Sequence, residues 1–133
     1  MGPVTLELPP RSPYVGVARL AIASLARRQG LHEEVVDDLL IAVSEAVTNA
    51  LLATEEEGSD EAVTVRWDGG PDEVAVHILD RGRVYDPEAA LDPSDTQSLR
   101  FTLSLALLQS LVDRCDFGPR DGGGMRTTLI LNL

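Results

Sequence analysis

From Glu33 to Thr54 the chain places Val36, Leu39, Leu40, Val43, Val47, Ala50 and Leu51 along one side of a 3.6-residue period. A stripe this long predicts a helix whose apolar face is buried against a second layer. Nowhere do eighteen apolar residues run together, so that layer is protein and not a bilayer. The candidates for it are period-two segments. Val4–Leu8, Ala62–Trp67 and Val74–Leu79 alternate apolar and polar side chains, and Asp68-Gly69-Gly70-Pro71-Asp72 carries the residues that turn a hairpin.

The remaining punctuation completes an α+β pattern. Pro9-Pro10 stops the first strand, Ser12-Pro13 opens a helix, and Arg27-Arg28 followed by Gly30 closes it. A further helix is expected over Ser98–Asp113, apolar around most of its circumference, and strands over Cys115–Phe117 and Thr127–Leu133 flank Gly122-Gly123-Gly124. Between Asp80 and Gln97 the pattern dissolves into a long polar loop, a length that usually carries function. The acidic run Glu55–Asp60 reads as an exposed loop. One domain spanning residues 1–133 is expected from the length.

Composition removes several chemistries. All eleven basic residues are arginine, which excludes a P-loop lysine and Schiff-base catalysis. The single cysteine excludes an internal disulfide, and no Cys/His spacing fits a structural zinc site. A net charge of −11 argues against direct nucleic-acid binding, and Met1-Gly2-Pro3 does not open a signal peptide, so a cytoplasmic protein without membrane contact is expected. Cys115 and Trp67 read as packing residues in strands, and His32 and His77 as surface or structural, since no partner is spaced to join the histidines in chemistry.

Two constellations remain. Glu45 and Asn49 are four residues apart and lie one above the other on the face opposite the stripe, with Ile41 and Leu52 beside them. Such a pair is either a solvated polar face or the floor of a pocket. Asp80-Arg81-Gly82 stands where an apolar strand ends, and reads either as ordinary turn chemistry or as a carboxylate placed to accept a heterocycle amine.

The segment Ser44-Glu45-Ala46-Val47-Thr48-Asn49-Ala50, then Asp80-x-Gly82 after a hairpin, then a helix ending Ser110-Leu111-Val112-Asp113, resembles the anti-sigma factor serine kinases of the GHKL superfamily. The resemblance spans nearly the whole chain. It implies a two-layer α+β sandwich of the Bergerat type, with a mixed sheet covered on one face by three helices. It implies Asn49 as the Mg²⁺ ligand beside the ATP phosphates, Glu45 as general base toward a serine hydroxyl, and Asp80 and Gly82 at the adenine. Thr127 or Thr128 corresponds to a threonine supporting that aspartate, and Arg100 is placed to attract phosphate. The implied partners are a sigma factor and an antagonist protein, with a homodimer as the assembly.

The chain departs from that family's pattern at its glycine-rich boxes. Thr102 and Ser104 stand where lid glycines would fall, Arg83-Val84-Tyr85 where a second glycine is common, and Ala53 where a histidine often follows. A side chain there narrows the approach of a triphosphate to backbone N–H groups. The alternative expectation is therefore a non-catalytic partner-binding module that keeps the fold and has lost productive ATP binding.

Overall fold

The structure is a computed structural model that describes residues 2–86 and 92–133. The part of the long loop over residues 87–91 lies outside the described residues. The elements follow in the order β1 (Val4–Leu8), a 3-10 turn (Ser12–Tyr14), α1 (Val15–Arg28), α2 (Glu33–Glu56), β2 (Val63–Gly69), β3 (Glu73–Leu79), α3 (Thr96–Leu111), β4 (Arg114–Pro119) and β5 (Met125–Asn132).

α2 forms for the reason its stripe suggests. Val36, Leu39, Val43, Val47 and Leu51 are fully or almost fully buried, each worth about 1.5–3 kcal/mol of transfer out of water. Glu33 and Glu34 occupy its first turn, where carboxylates complement the helix dipole. The helix runs two residues past the expected end. Gly58, at φ +72°, provides the left-handed residue of a C-terminal cap in which Ser59 N–H donates to Thr54 O (3.1 Å) and Gly58 N–H to Glu55 O (2.9 Å). Glu55 and Glu56 thus belong to the helix, a correction to the loop reading of the acidic run, while both are exposed as expected. Ser12 and Pro13 enter a 3-10 turn ahead of α1, and no side chain caps that turn.

The strands form one sheet in the order β1-β2-β3-β5-β4. A mixed sheet was expected, but every neighbouring pair is antiparallel. β3 and β4, joined through α3, do run in the same direction. β5 then inserts between them, antiparallel to both, and removes any parallel ladder. The two-layer α+β arrangement itself is present, with Val63, Val65 and Trp67 of β2, Val74, Val76 and Ile78 of β3, and Leu129 and Leu131 of β5 packed into the helix layer's core.

On the opposite face many of the alternate positions are polar, beside Ala75 and Ile130. His77 Nδ1 lies 3.0 Å from Thr128 Oγ1, His77 Nε2 lies 3.2 Å from Asp68, and Arg66 Nε donates to Asp68 Oδ2 at 3.1 Å. This cross-strand ladder accounts for His77 as a structural residue. Trp67 is fully buried, also as expected of a packing residue.

Candidate nucleotide site

α2, the end of β3, α3 and the start of β5 meet around one cavity, lined among others by Asn49, Asp80, Arg100, Phe101, Ser104 and Thr127. Four of the residues expected to bind nucleotide therefore share a site: Asn49, Asp80, Arg100 and Thr127. Glu45 stands at its edge through Asn49, whose side-chain amide lies 3.4 Å from Glu45 Oε1. The apolar floor comes from Ala46, Ala50 and Ala53, in place of the expected Ile41 and Leu52; Ile41 is half exposed on the outer side of α2. Alanines at i, i+4 and i+7 leave room for a ligand that larger side chains would fill.

Asp80 is 7% exposed and begins where β3 ends. Its Oδ1 accepts from Gly82 N–H (2.8 Å) and Met125 N–H (3.1 Å), and its backbone N–H donates to Met125 O (2.9 Å). Burial pushes the carboxyl above its ordinary range, opposed by these two N–H bonds and by the Arg120 charge. Arg120 Nη1 also donates to Asp80 O (3.1 Å). Both amides are taken up by Oδ1, so Oδ2 has no hydrogen-bond partner among the described residues. An acceptor held this way suits an exocyclic amine.

Two glycines make that placement possible. A Cβ on Gly82 would lie 2.4 Å from Ala53 Cβ, so the chain after Asp80 can cross α2 only without a side chain. A Cβ on Gly124, whose φ is +97°, would lie 1.9 Å from Asp80 O. The Gly122–Gly124 run is thus the means by which β5 begins against Asp80. Arg81 holds the same loop, with Nη1 donating to Gly123 O at 2.7 Å.

Of the two threonines left open, Thr127 faces the cavity and Thr128 faces away, bound to His77. Arg100 is ion-paired with Glu56, which also accepts from Gln97 Nε2 (2.9 Å). Glu56 is a residue that sequence reasoning missed. Phe101 and Ser104 project inward from α3, and Ser104 Oγ accepts from Asn49 Nδ2 at 2.5 Å. Asp95 caps α3 through Gln97 N–H (3.1 Å) and Ser98 N–H (3.2 Å), and its pairing with Arg83 holds it below the ordinary carboxylate range.

The donors fit the group that the sequence resemblance implies. Asn49 Nδ2 is engaged by Ser104 and Glu45, which leaves the amide oxygen, a hard ligand of the kind Mg²⁺ takes. Asp80, whose Oδ2 is a free acceptor among the described residues, lines the same cavity as Asn49.

Comparison with known proteins places this chain in a class. Residues 8–131 match the histidine kinase-like ATPase domain family. The serine-protein kinase RsbW of Listeria innocua is 33% identical, with 97% of this chain and 87% of that protein covered. RsbW of Bacillus subtilis is 30% identical, with 97% and 86% covered. The crystal structure of the RsbU and RsbW domains of a Mycobacterium tuberculosis protein superimposes with a TM-score of 0.74 at 19% identity, over 98% of this chain. This chain spans about a third of that one (32%).

The chain belongs to the histidine kinase-like ATPases, in the branch of the RsbW serine-protein kinases. Among the described residues no helix is long and apolar enough to cross a membrane.

Proposed function

We propose that the chain is a cytoplasmic anti-sigma regulator, acting as one domain, that holds a sigma factor and uses Mg-ATP to phosphorylate a serine of an antagonist protein. The observation that carries this reading is the pairing of Asn49 with Glu45 on one side of the cavity and the unpartnered Oδ2 of Asp80 in the same lining set. Asn49 would hold Mg²⁺ through its amide oxygen, and Asp80 would receive the adenine amine with Gly82 giving the base access to backbone. Bound Mg-ATP supplies the phosphoryl group and the charge neutralisation for its transfer.

Glu45 is then the general base. One helical turn from Asn49, it is positioned to take the proton of an incoming serine hydroxyl as that oxygen reaches the phosphoryl group. Thr127 lines the cavity and supports the adenine end. Arg100 contributes positive charge at the cavity once its pairing with Glu56 opens. The named relatives are serine-protein kinases, and their similarity runs over nearly the whole chain, which supports the enzymatic reading over the non-catalytic one.

The chain's net charge of −11 complements a basic sigma factor, and a homodimer is the assembly in which we expect it to work. The test is transfer of labelled phosphate from Mg-ATP to a serine of a candidate antagonist protein, with Glu45→Gln as control. Transfer lost only in the variant supports the proposal. Nucleotide binding without transfer in the wild type would return the non-catalytic module.

A further inference from the structure

Three of the chain's five aromatic side chains converge on the nucleotide cavity. Phe101 stacks on Tyr85 with ring centroids 4.9 Å apart and planes 13° from parallel, and meets Phe117 edge-on at 5.1 Å and 79°. With these rings in place the cavity has a volume of about 40 Å³. That is room for a water or two, whereas a site for a nucleotide-sized ligand has roughly 300–1,000 Å³. Whatever enters must displace something, and the ring of Phe101 is the largest group that a movement of α3 alone would withdraw.

The rest of α3 is built for such a movement. Its C-terminal part is anchored, by the Ser104 bond to Asn49 and by Leu108, with Val112 just beyond the helix, buried in the core. Around its N-terminal half, Leu99 and Leu103 are exposed, and the holds are polar: Arg100 to Glu56, Gln97 to Glu56, the Tyr85 hydroxyl to Gln97 Oε1 (3.1 Å), and Arg83 to Asp95. Ion pairs open to solvent contribute little and are readily exchanged for water. Tyr85 is independently steadied, because Arg83 lies 4.3 Å above its ring.

We infer that Phe101 is an internal occupant of the nucleotide pocket, and that an incoming base takes its place on the face of Tyr85. The exchange is ring for ring. A purine offers the same flat apolar surface to Tyr85, while its amine reaches Asp80 Oδ2, a bond that Phe101 cannot make. Tyr85 is thereby a base-binding residue, and Phe101 sets the affinity threshold. This rests on the nucleotide reading of the cavity.

The test is calorimetric titration with Mg-ATP of the wild type, Phe101→Ala, Phe101→Leu, and Tyr85→Ala in the Phe101→Ala background, each checked for native circular dichroism. Both Phe101 variants are expected to bind about tenfold or more tightly than the wild type, and Tyr85→Ala to cancel that gain. The leucine variant keeps much of the apolar volume and guards against a fold lost to the alanine. Equal or weaker binding in the Phe101 variants, with the wild type binding normally, overturns the inference and leaves the nucleotide reading standing. A gain that survives Tyr85→Ala overturns the exchange. No binding by any of the four at millimolar nucleotide removes the nucleotide reading and the inference together.

Discussion

Ser104 Oγ on α3 accepts a hydrogen bond from the Asn49 side chain on α2 at 2.5 Å, so the orientation of one helix's amide is fixed by a hydroxyl of another. With Glu45 Oε1 a further 3.4 Å contact of the same nitrogen, the amide oxygen is the end left for a cation. Asn49→Ala is expected to abolish the Mg²⁺-dependent part of ATP binding while leaving the fold intact, since Asn49 is only half-buried. Ser104→Ala should weaken that Mg²⁺-dependent part severalfold and leave binding without magnesium unchanged. Titrations with and without the metal decide it. Equal loss in both conditions would show that neither residue acts on the cation.

Asp80 gives a prediction in which stability and binding move in opposite directions. Burial raises its carboxyl pKa in the folded state, so the fold favours the protonated form. The stabilisation from that preference is fully present below the unfolded value and is lost as pH rises through the folded one. At neutral pH the ionised carboxylate is therefore a cost. Asp80→Asn keeps an oxygen for Gly82 and Met125 and removes the buried charge, so the variant should unfold at the same or a higher temperature at pH 7. That advantage should shrink as pH falls toward the ordinary carboxylate range. ATP binding should weaken at least tenfold, because a donor replaces the acceptor facing the amine. A variant that binds ATP normally would remove Asp80 from the base site.

Glu45→Gln tests the chemical step alone. The amide keeps the size of the side chain and its position one turn from Asn49, and cannot take a proton. Phosphoryl transfer is expected to fall by about 10²–10⁴-fold with the ATP dissociation constant within a factor of about three. A variant that retains transfer would assign the base elsewhere.

How much of this was readable beforehand depended on the range of the interaction. The stripe on α2 is local and periodic, and it located the helix, its buried face and the outward pair Glu45 and Asn49. The α3 pattern was silent on orientation, because a helix apolar around most of its circumference does not show which side turns in. Leu103 is 63% exposed and the adjacent Ser104 only 5%, the reverse of what hydrophobicity alone would assign. Ser104 is buried because Asn49, 55 residues earlier, supplies its hydrogen bond. The same holds for Tyr85, Phe101 and Phe117, whose meeting depends on β5 slotting between β3 and β4. Glu56 was hidden within an acidic run that composition reads as a loop, with nothing local to show its pairing with Arg100 and Gln97. What gave Asp80 away was chain grammar, an acidic residue and a glycine directly after an apolar strand.

The glycine run offers a graded test of backbone geometry. Gly123 and Gly124 have similar φ, +101° and +97°, but a Cβ on Gly123 meets nothing within 4 Å, whereas one on Gly124 would strike Asp80 O at 1.9 Å. Gly123→Ala should cost only the backbone term, about 1–2 kcal/mol, and Gly124→Ala about 3 kcal/mol or more with loss of nucleotide binding. Chemical denaturation of the two variants measures the difference. Equal costs would mean that the strand start is not pinned against Asp80.

Cys115 lies on β4, one of the two edge strands, opposite Leu129 of β5, and is half-buried. Desolvation pushes its thiol up to about 12, with the neighbouring Asp116 charge adding to it. A raised value means that the fold favours the neutral thiol, so the associated stability is complete at neutral pH and is lost only as pH climbs toward that value. The consequence below pH 9 is kinetic. At pH 8 an ordinary thiol with a pKa near 8.5 is roughly one quarter thiolate, whereas one near 12 is about one part in ten thousand. Alkylation of the native protein by iodoacetamide at pH 8 should accordingly be at least about a hundredfold slower than in denaturant, and addition of Mg-ATP should not change it. A native rate equal to the denatured one would mean that the edge strand opens readily, and that Cys115 is reactive where the packing says it is not.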